Sequence, residues 1–326
     1  MIAVTGAAGL LGSFVVKRLL QQGHKVTAII RKKTQVASQH SELSWQIADV
    51  QDPVALSECF KGATAVIHAA ACVSFNPRKR NEIFNTNVTG TKNVVDTCLA
   101  LGIPKLVHVS SVAALGRRKS DEMIDENTQW TDGPLNSDYA KSKYLAELEV
   151  FRGAEEGLLC SIVNPSFILA PVKWNRSSAK IFEYVWNERL FFPPGIANYV
   201  DVEDVTTIII HLLTNNFNRE RFIASAGSIP YQQFFTEIAT RLHKRAPAIE
   251  VHSALLPLLA RMEEVKSWIM GQEPTISRES IKSAKAKAIY SNTKAQEKLE
   301  IQFKTLAQTL DAYCDYYART YSTKKG

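Results

Sequence analysis

The chain has 326 residues, 45% hydrophobic and 22% charged, the proportions of a folded globular protein long enough for a large core. Lysine and arginine number 39 against 32 acidic residues; the net +7 is mild for this length, suits a phosphate-bearing ligand and, with no dense basic stripe interleaved with aromatics, argues against a nucleic-acid-binding protein. Five scattered cysteines without a Cys-x-x-Cys pair (Cys59, Cys72, Cys98, Cys160, Cys314) read as reduced core thiols, the seven histidines show no metal-ligand spacing, and with no signal peptide and no apolar run near the ~20 residues of a membrane span the expected location is cytoplasmic.

Apolar runs of strand length at residues 1–5, 25–30, 44–48, 65–69, 105–110 and 159–164 alternate with helical patterns at 11–22, 53–60, 80–101 and 138–156. The alternation predicts an α/β fold, a Rossmann doubly wound parallel sheet buried on both faces, with near-continuous apolar strands as such burial requires. After Pro171 helical patterns dominate, at 179–189, 202–215, 231–242, 255–270 and 303–321, interrupted by a strand-like piece at 221–226 that returns to the sheet. The expected division is a dinucleotide-binding domain over 1–170, with a return around 200–228, and a smaller, mostly helical substrate region over 171–199 and 229–326. The basic runs Arg78-Lys79-Arg80 and Arg117-Arg118-Lys119 fall in loops and read as solvated.

The first strand runs into Gly6-Ala7-Ala8-Gly9-Leu10-Leu11-Gly12. Gly6 permits a tight turn, Gly9 lets backbone approach a pyrophosphate, and Gly12 allows the following helix to lie close on the sheet. That helix then offers free N–H groups and a partial positive charge to phosphates. At the end of the second strand stand Arg31-Lys32-Lys33, where an acidic residue would select the ribose hydroxyl of NAD. Cations here favour the 2′-phosphate of NADP over NAD.

Tyr139 and Lys143, spaced i and i+4, share a helical face behind the helix start Asn136-Ser137-Asp138. Ser110-Ser111 end a strand of the sheet, where ligands of such folds sit. A phenol of pKa near ~10 is a poor acid at neutral pH, and a nearby lysine ammonium is expected to lower that value.

In order, the glycine turn, Asp49-Val50, His68-Ala69-Ala70-Ala71, Asn87-Val88-Thr89-Gly90-Thr91-Lys92-Asn93, Ser110-Ser111, Tyr139-x-x-x-Lys143, Asn164-Pro165 and Val200-Asp201-Val202-Glu203-Asp204-Val205 resemble the extended short-chain dehydrogenase/reductase family, also called the NAD-dependent epimerase/dehydratase family. The resemblance covers the first two-thirds of the chain. It implies that Tyr139 is the proton donor, that Lys143 also bonds the nicotinamide ribose, and that Ser111 orients the substrate carbonyl; Ser111 is preferred to Ser110 because Gly116 follows it by five residues, as in the family. It further implies cofactor contacts from Gly6, Ala8, Gly9, Leu10, Leu11, Gly12, Arg31, Lys32, Asp49, Val50, Ala69, Ala70, Ala71, Asn87, Val109, Pro165, Phe167 and Ile168, with Asn87 either ordering the site through backbone contacts or capping a helix. A homodimer through the helices at 80–101 and 138–156 follows by the same analogy.

Val112-Ala113 after the serines lacks the Asp-Glu of sugar-nucleotide dehydratases, and Asn164-Pro165-Ser166-Phe167 replaces the Arg-Pro of sugar-nucleotide enzymes. These features, with Asp125-Glu126-Asn127-Thr128-Gln129-Trp130, resemble the branch of dihydroflavonol 4-reductase, cinnamoyl-CoA reductase and 3β-hydroxysteroid dehydrogenase. Ala170 departs from the glycine often found there. The expected function is an NADP-dependent oxidoreductase interconverting a carbonyl and an alcohol on a bulky, partly apolar small molecule. The alternatives are a sugar-nucleotide epimerase or reductase, and a regulatory protein that binds NAD(P) without turnover. Cys72, Phe75, Val112, Phe167 and Trp174 are candidates for the substrate pocket wall, each with core packing as the competing reading. Trp130 either closes the site or pins its loop, His68 and His108 read as packed core residues, and Glu203 and Asp204 read as caps of the helix that follows.

Overall fold

The computed structural model describes residues 1–32, 39–116, 123–133, 136–174, 178–251 and 288–322. Lys33, the basic run at 117–119 and the expected helix at 255–270 lie outside them.

Strands β1 (Ile2–Thr5), β2 (Val26–Ile30), β3 (Leu43–Ile47), β4 (Ala65–His68), β5 (Lys105–Val109), β7 (Leu159–Pro165) and β11 (Glu220–Ala224) form a seven-stranded sheet in the order β11-β7-β5-β4-β1-β2-β3. Every pairing is parallel. The chain winds outward from β1 in both directions, so a crevice opens at the carboxyl ends of β1 and β4. Helices α1 (Leu10–Gln21) and α7 (Val202–Thr214) cover one face, packing Val15, Leu19, Ile208 and Ile209 onto Val4, Ala28, Ile67 and Val107. On the other face α2 (Pro53–Phe60), α4 (Gly90–Ala100) and α5 (Asp138–Glu155) bury Leu56, Phe60, Val94, Val95 and Val150 against Ala3, Val66, Leu106 and Ile162.

Local chemistry starts these helices. Asp52 caps α2 with Pro53 as its first residue, and Ser137 caps α5 by accepting from Ala140 N–H. α1 differs: its N-cap is Gly9, with no capping side chain. The helix expected at 80–101 is divided. α3 (Arg80–Phe84) passes through a π-helical turn, Asn85–Thr89, before α4. The extra residue in that turn re-aims Asn87.

Short elements absent from the sequence reading complete the fold. β8 (Phe167–Leu169), β10 (Ile196–Asp201) and β12 (Gly227–Pro230) form a second sheet in the order β12-β10-β8. Two-residue strands pair β6 (Met123–Ile124) with β14 (Ile289–Tyr290) and β9 (Phe191–Phe192) with β13 (Ile249–Glu250). Helices α6 (Ala179–Trp186), α8 (Tyr231–Leu242), α9 (Thr293–Leu299) and α10 (Leu306–Ser322) follow the sheet's later strands. A third cluster joins Phe182, Phe234, Ile238, Leu310 and Tyr317. No helix among the described residues is long and apolar enough to cross a membrane.

Candidate active site

The crevice at the end of β1 and β4 is an open cleft lined by Thr5, Gly6, Ala8, Gly9, Ile29, Ile30, Arg31, Ala48, Val50, Ala69, Ala70, Ala71 and Thr86. Its floor tolerates no side chain. Gly6 has φ +69°, and a Cβ there would stand 2.6 Å from Ala70 N; at Gly12 it would stand 2.2 Å from Gly6 O. The uncapped start of α1 opens onto this floor, so its N–H groups stay free for an anion. Small side chains at Ala69, Ala70 and Ala71 leave the opposite rim low, and the exposed Arg31 stands at the outer end. A dinucleotide with its pyrophosphate over Gly9 fits this cradle.

Other expected contacts fall out differently. Asp49 turns back to accept from Gln51 N–H at 3.0 Å, while Val50 is buried against Gly90. Leu11 packs into the core below the cleft, and Pro165 is buried at the end of β7. Ile168 packs against the first core cluster, and Phe167 beside it is 41% exposed. Asn87 is not a cap. Its Oδ1 accepts from Cys72 N–H at 2.7 Å, and its Nδ2 donates to Cys72 O at 3.0 Å and Ser142 Oγ at 2.9 Å. It pins the segment after β4 to α5.

The second half of the site sits where β5 ends against α5. Ser111 caps the short 3-10 turn Val112–Leu115 by accepting from Ala113 N–H at 3.2 Å. Its hydroxyl also lies near enough to Tyr139 to favour the phenolate. Lys143 is 2% exposed and donates from Nζ to Val109 O at 2.8 Å. Phe75 lies edge-on to Tyr139, ring centroids 6.0 Å apart, and the Cys72 thiol is close enough to act on its charge. Cys72 and Phe75 therefore join the site. Val112 packs instead with Leu115, Ile124 and Ile223, and Trp174 stacks on Tyr321 at 3.6 Å within the third cluster. Trp130 stacks on Tyr144 at 4.6 Å and lies over Gly116, pinning its loop.

Residues 2–223 match the sequence model of the NAD dependent epimerase/dehydratase family. The chain belongs to this family. It is 28% identical to a putative dihydroflavonol 4-reductase of Synechocystis over 94% of this chain and 91% of that protein, and 29% identical to cinnamoyl-CoA reductase 1 of rice over 76% and 77%. The crystal structure of gox2253 superposes with a TM-score of 0.82 at 26% identity, covering 98% of both chains. The protein is accordingly an NAD(P)-dependent oxidoreductase of the short-chain dehydrogenase/reductase type.

The electrostatics of this family member depart from the sequence expectation at one point. Tyr139 is not made more acidic. Burial pushes its hydroxyl up to about 12, and the Ser111 hydroxyl opposes this only in part. Burial likewise lowers Lys143 to about 8, with Glu147 pulling it back up. At the phenol desolvation is the largest effect, and the Cys72 thiol adds to it. His68, held between Thr5 and Thr91, is lowered to about 3 by burial and Lys143, and His108 is lowered as well. Both are neutral core residues 0% exposed, as their strand positions predicted.

Glu203 and Asp204 also proved different. The cap of α7 is Asp201, which accepts from Glu203 N–H at 2.8 Å. Glu203 pairs with Arg18, and Asp204 accepts from Lys304 N–H. Sequence reasoning missed Thr5, Thr86 and Ala48 in the cleft and Glu147 behind Lys143. For Glu147 a signal existed: it continues the Tyr139–Lys143 spacing by one more turn.

Proposed function

We propose that the protein is an NADP-dependent carbonyl reductase, or the reverse alcohol dehydrogenase, acting on a bulky and partly apolar small molecule. The observation that carries this reading is the convergence of Ser111, Tyr139 and Lys143 at the end of β5, next to a cradle shaped for a dinucleotide. Bound NADPH would supply the hydride. Tyr139 gives its proton to the carbonyl oxygen, Ser111 orients that oxygen, and the Lys143 ammonium stabilises the negative charge left on the phenol. Arg31 at the cleft's outer end supports the choice of NADP, because a guanidinium pairs with a 2′-phosphate. Phe75 and Cys72 beside Tyr139, and the names of the reductases it resembles, support a substrate with apolar bulk. That none of the five cysteines is joined in a disulfide supports a reducing, cytoplasmic setting. We infer a homodimer through α3, α4 and α5.

The test is an assay of purified protein for NADPH and NADH oxidation against a panel of aromatic and alicyclic aldehydes, ketones and acyl-CoA thioesters. NADPH-dependent turnover of such carbonyls is expected. Turnover confined to NADH removes the cofactor assignment, and activity only on nucleotide sugars removes the substrate class.

A further inference from the structure

One buried carboxylate near the site has no part in the chemistry above. Glu147 lies one turn beyond Lys143 on α5, on the stripe of Tyr139 and Lys143, and is 1% exposed. A carboxylate at that depth is costly unless it is paired and hydrogen-bonded. Both of its oxygens are engaged. Oε1 accepts from Asn164 Nδ2 at 2.6 Å, and Oε2 accepts from Arg221 Nη1 at 3.1 Å.

Each partner reaches on toward the active site. Asn164 Nδ2 also donates to the peptide carbonyl of Ser111 at 3.0 Å. Both neighbours of that amide group are acceptors, which dictates the amide's orientation and leaves its Oδ1 without a partner among the described residues. Arg221 donates to the carbonyl of Glu126 at 2.9 Å and 2.7 Å, from Nε and Nη2, and to that of Thr128 at 3.1 Å. Those carbonyls belong to the loop that carries Trp130 onto Tyr144. The Glu126 carboxylate closes the circuit by accepting from Ile223 N–H on β11 at 2.8 Å.

The Glu147 carboxylate, one helical turn from Lys143 on α5, acts on the lysine's charge. The other titratable groups around that ammonium are Tyr139 on α5, His68 on β4 and His108 on β5. Both histidines are neutral. Glu147 opposes the effect of burial on the lysine, and Arg221 from β11 shares Glu147.

We propose that Glu147 is a positioning residue: it holds Asn164, and through it the Ser111 peptide, tethers the Trp130 loop through Arg221, and supplies the counter-charge for Lys143. The proposal rests on the roles given to Ser111 and Lys143. Its test separates the two.

The probe is the enzyme without cofactor, its lysine side chains labelled with carbon-13. The Lys143 signal is assigned by its loss in Lys143→Arg and followed with pH. Glu147→Gln keeps the shape and an acceptor for Asn164 but removes the charge. It is expected to lower the Lys143 midpoint by roughly one pH unit, as loss of a nearby opposite charge should. Glu147→Asp keeps the charge and draws it back by one methylene. It is expected to leave the midpoint near wild type while kcat drops about 3–10-fold at unchanged KM for NADPH, the mark of a misplaced group rather than lost binding. An unshifted midpoint in the Gln variant, or equal shifts in both variants, overturns the electrostatic role. Wild-type kcat in the Asp variant, which also stands in if the Gln protein does not fold, overturns the positioning role. Full turnover by Lys143→Met would instead defeat the catalytic reading of Lys143, and the titrations would still report on Glu147.

Discussion

Burial shifts Tyr139 and Lys143 in opposite directions, each toward its neutral form. With its hydroxyl raised to about 12, Tyr139 holds its proton throughout the working range of pH. Lys143, lowered to about 8, is a cation below that value and neutral above it. Reductive kcat/KM is therefore expected to be level through neutrality and to fall as pH rises past about 8, because the charge that stabilises the forming phenolate is lost. A pH–rate profile checks this, and Lys143→Arg should push the falling limb upward. Tyr139→Phe should cut kcat by about 10²–10⁴-fold, the usual contribution of a positioned acid, with NADPH binding by fluorescence retained. At the cofactor end, Gly6→Ala forces a Cβ to 2.6 Å from Ala70 N at a φ of +69°. It should weaken NADPH binding at least tenfold and cost about 1–3 kcal/mol of stability, read by calorimetry and denaturant titration.

The elements that hold this site depend on a few polar contacts as much as on apolar packing. Asp201, 1% exposed, caps α7 and also receives Lys304 Nζ at 3.0 Å, Thr309 Oγ1 at 3.1 Å and Tyr313 Oη at 2.8 Å. It joins β10, α7 and α10. Asp201→Ala should lower stability by about 1–3 kcal/mol, as expected when the buried Thr309 and Tyr313 hydroxyls lose their acceptor, and denaturant titration would show it. Asp204, next in the same turn, is a burden instead. Burial, with Asp201 and Glu203 adding to it, raises its pKa from 3.8 to about 6. The folded form then keeps a proton that the unfolded chain has already released. Stability is lost as pH rises from near 4 to about 6, and the loss is complete above. Asp204→Asn retains an acceptor for Lys304 N–H. It should melt above wild type at pH 7–8, by an amount on the order of 1–3 kcal/mol, with the two curves converging below pH ~4.

For the whole molecule, the outward side of α4 and α5 is where the proposed dimer would form. Leu148 is 44% exposed there, beside ion pairs joining Arg152 to Asp96, Glu149 and Glu156 and Lys92 to Asp96. A two-fold contact would set each copy's patch on the other's. Sedimentation equilibrium is expected to give twice the chain mass of 36.3 kDa, and Leu148→Glu to shift it toward one copy. A monomer at micromolar concentration would dismiss the dimer.

Much of this architecture was written in local pattern. Continuous apolar runs announced the inner parallel strands to within a residue or two, because a strand buried on both faces has no room for polar alternation; the edge strand β3 alternates and is partly exposed. The glycine turn and the Tyr139–Lys143 spacing announced both halves of the site, because each is a requirement of one short stretch of backbone. Contacts between distant segments left no such trace. β8 is too short to carry a period, β10 and β12 mix polar and apolar residues, and the three form a sheet by pairing with each other. The π turn that aims Asn87 at Cys72, the true cap at Asp201 and the junction of Glu147 with Asn164 and Arg221 all depend on which elements fold against one another. The acidity of Tyr139 went against expectation for the same reason: the neighbouring charge can be read along a helix, but exclusion of water is a property of everything packed around it.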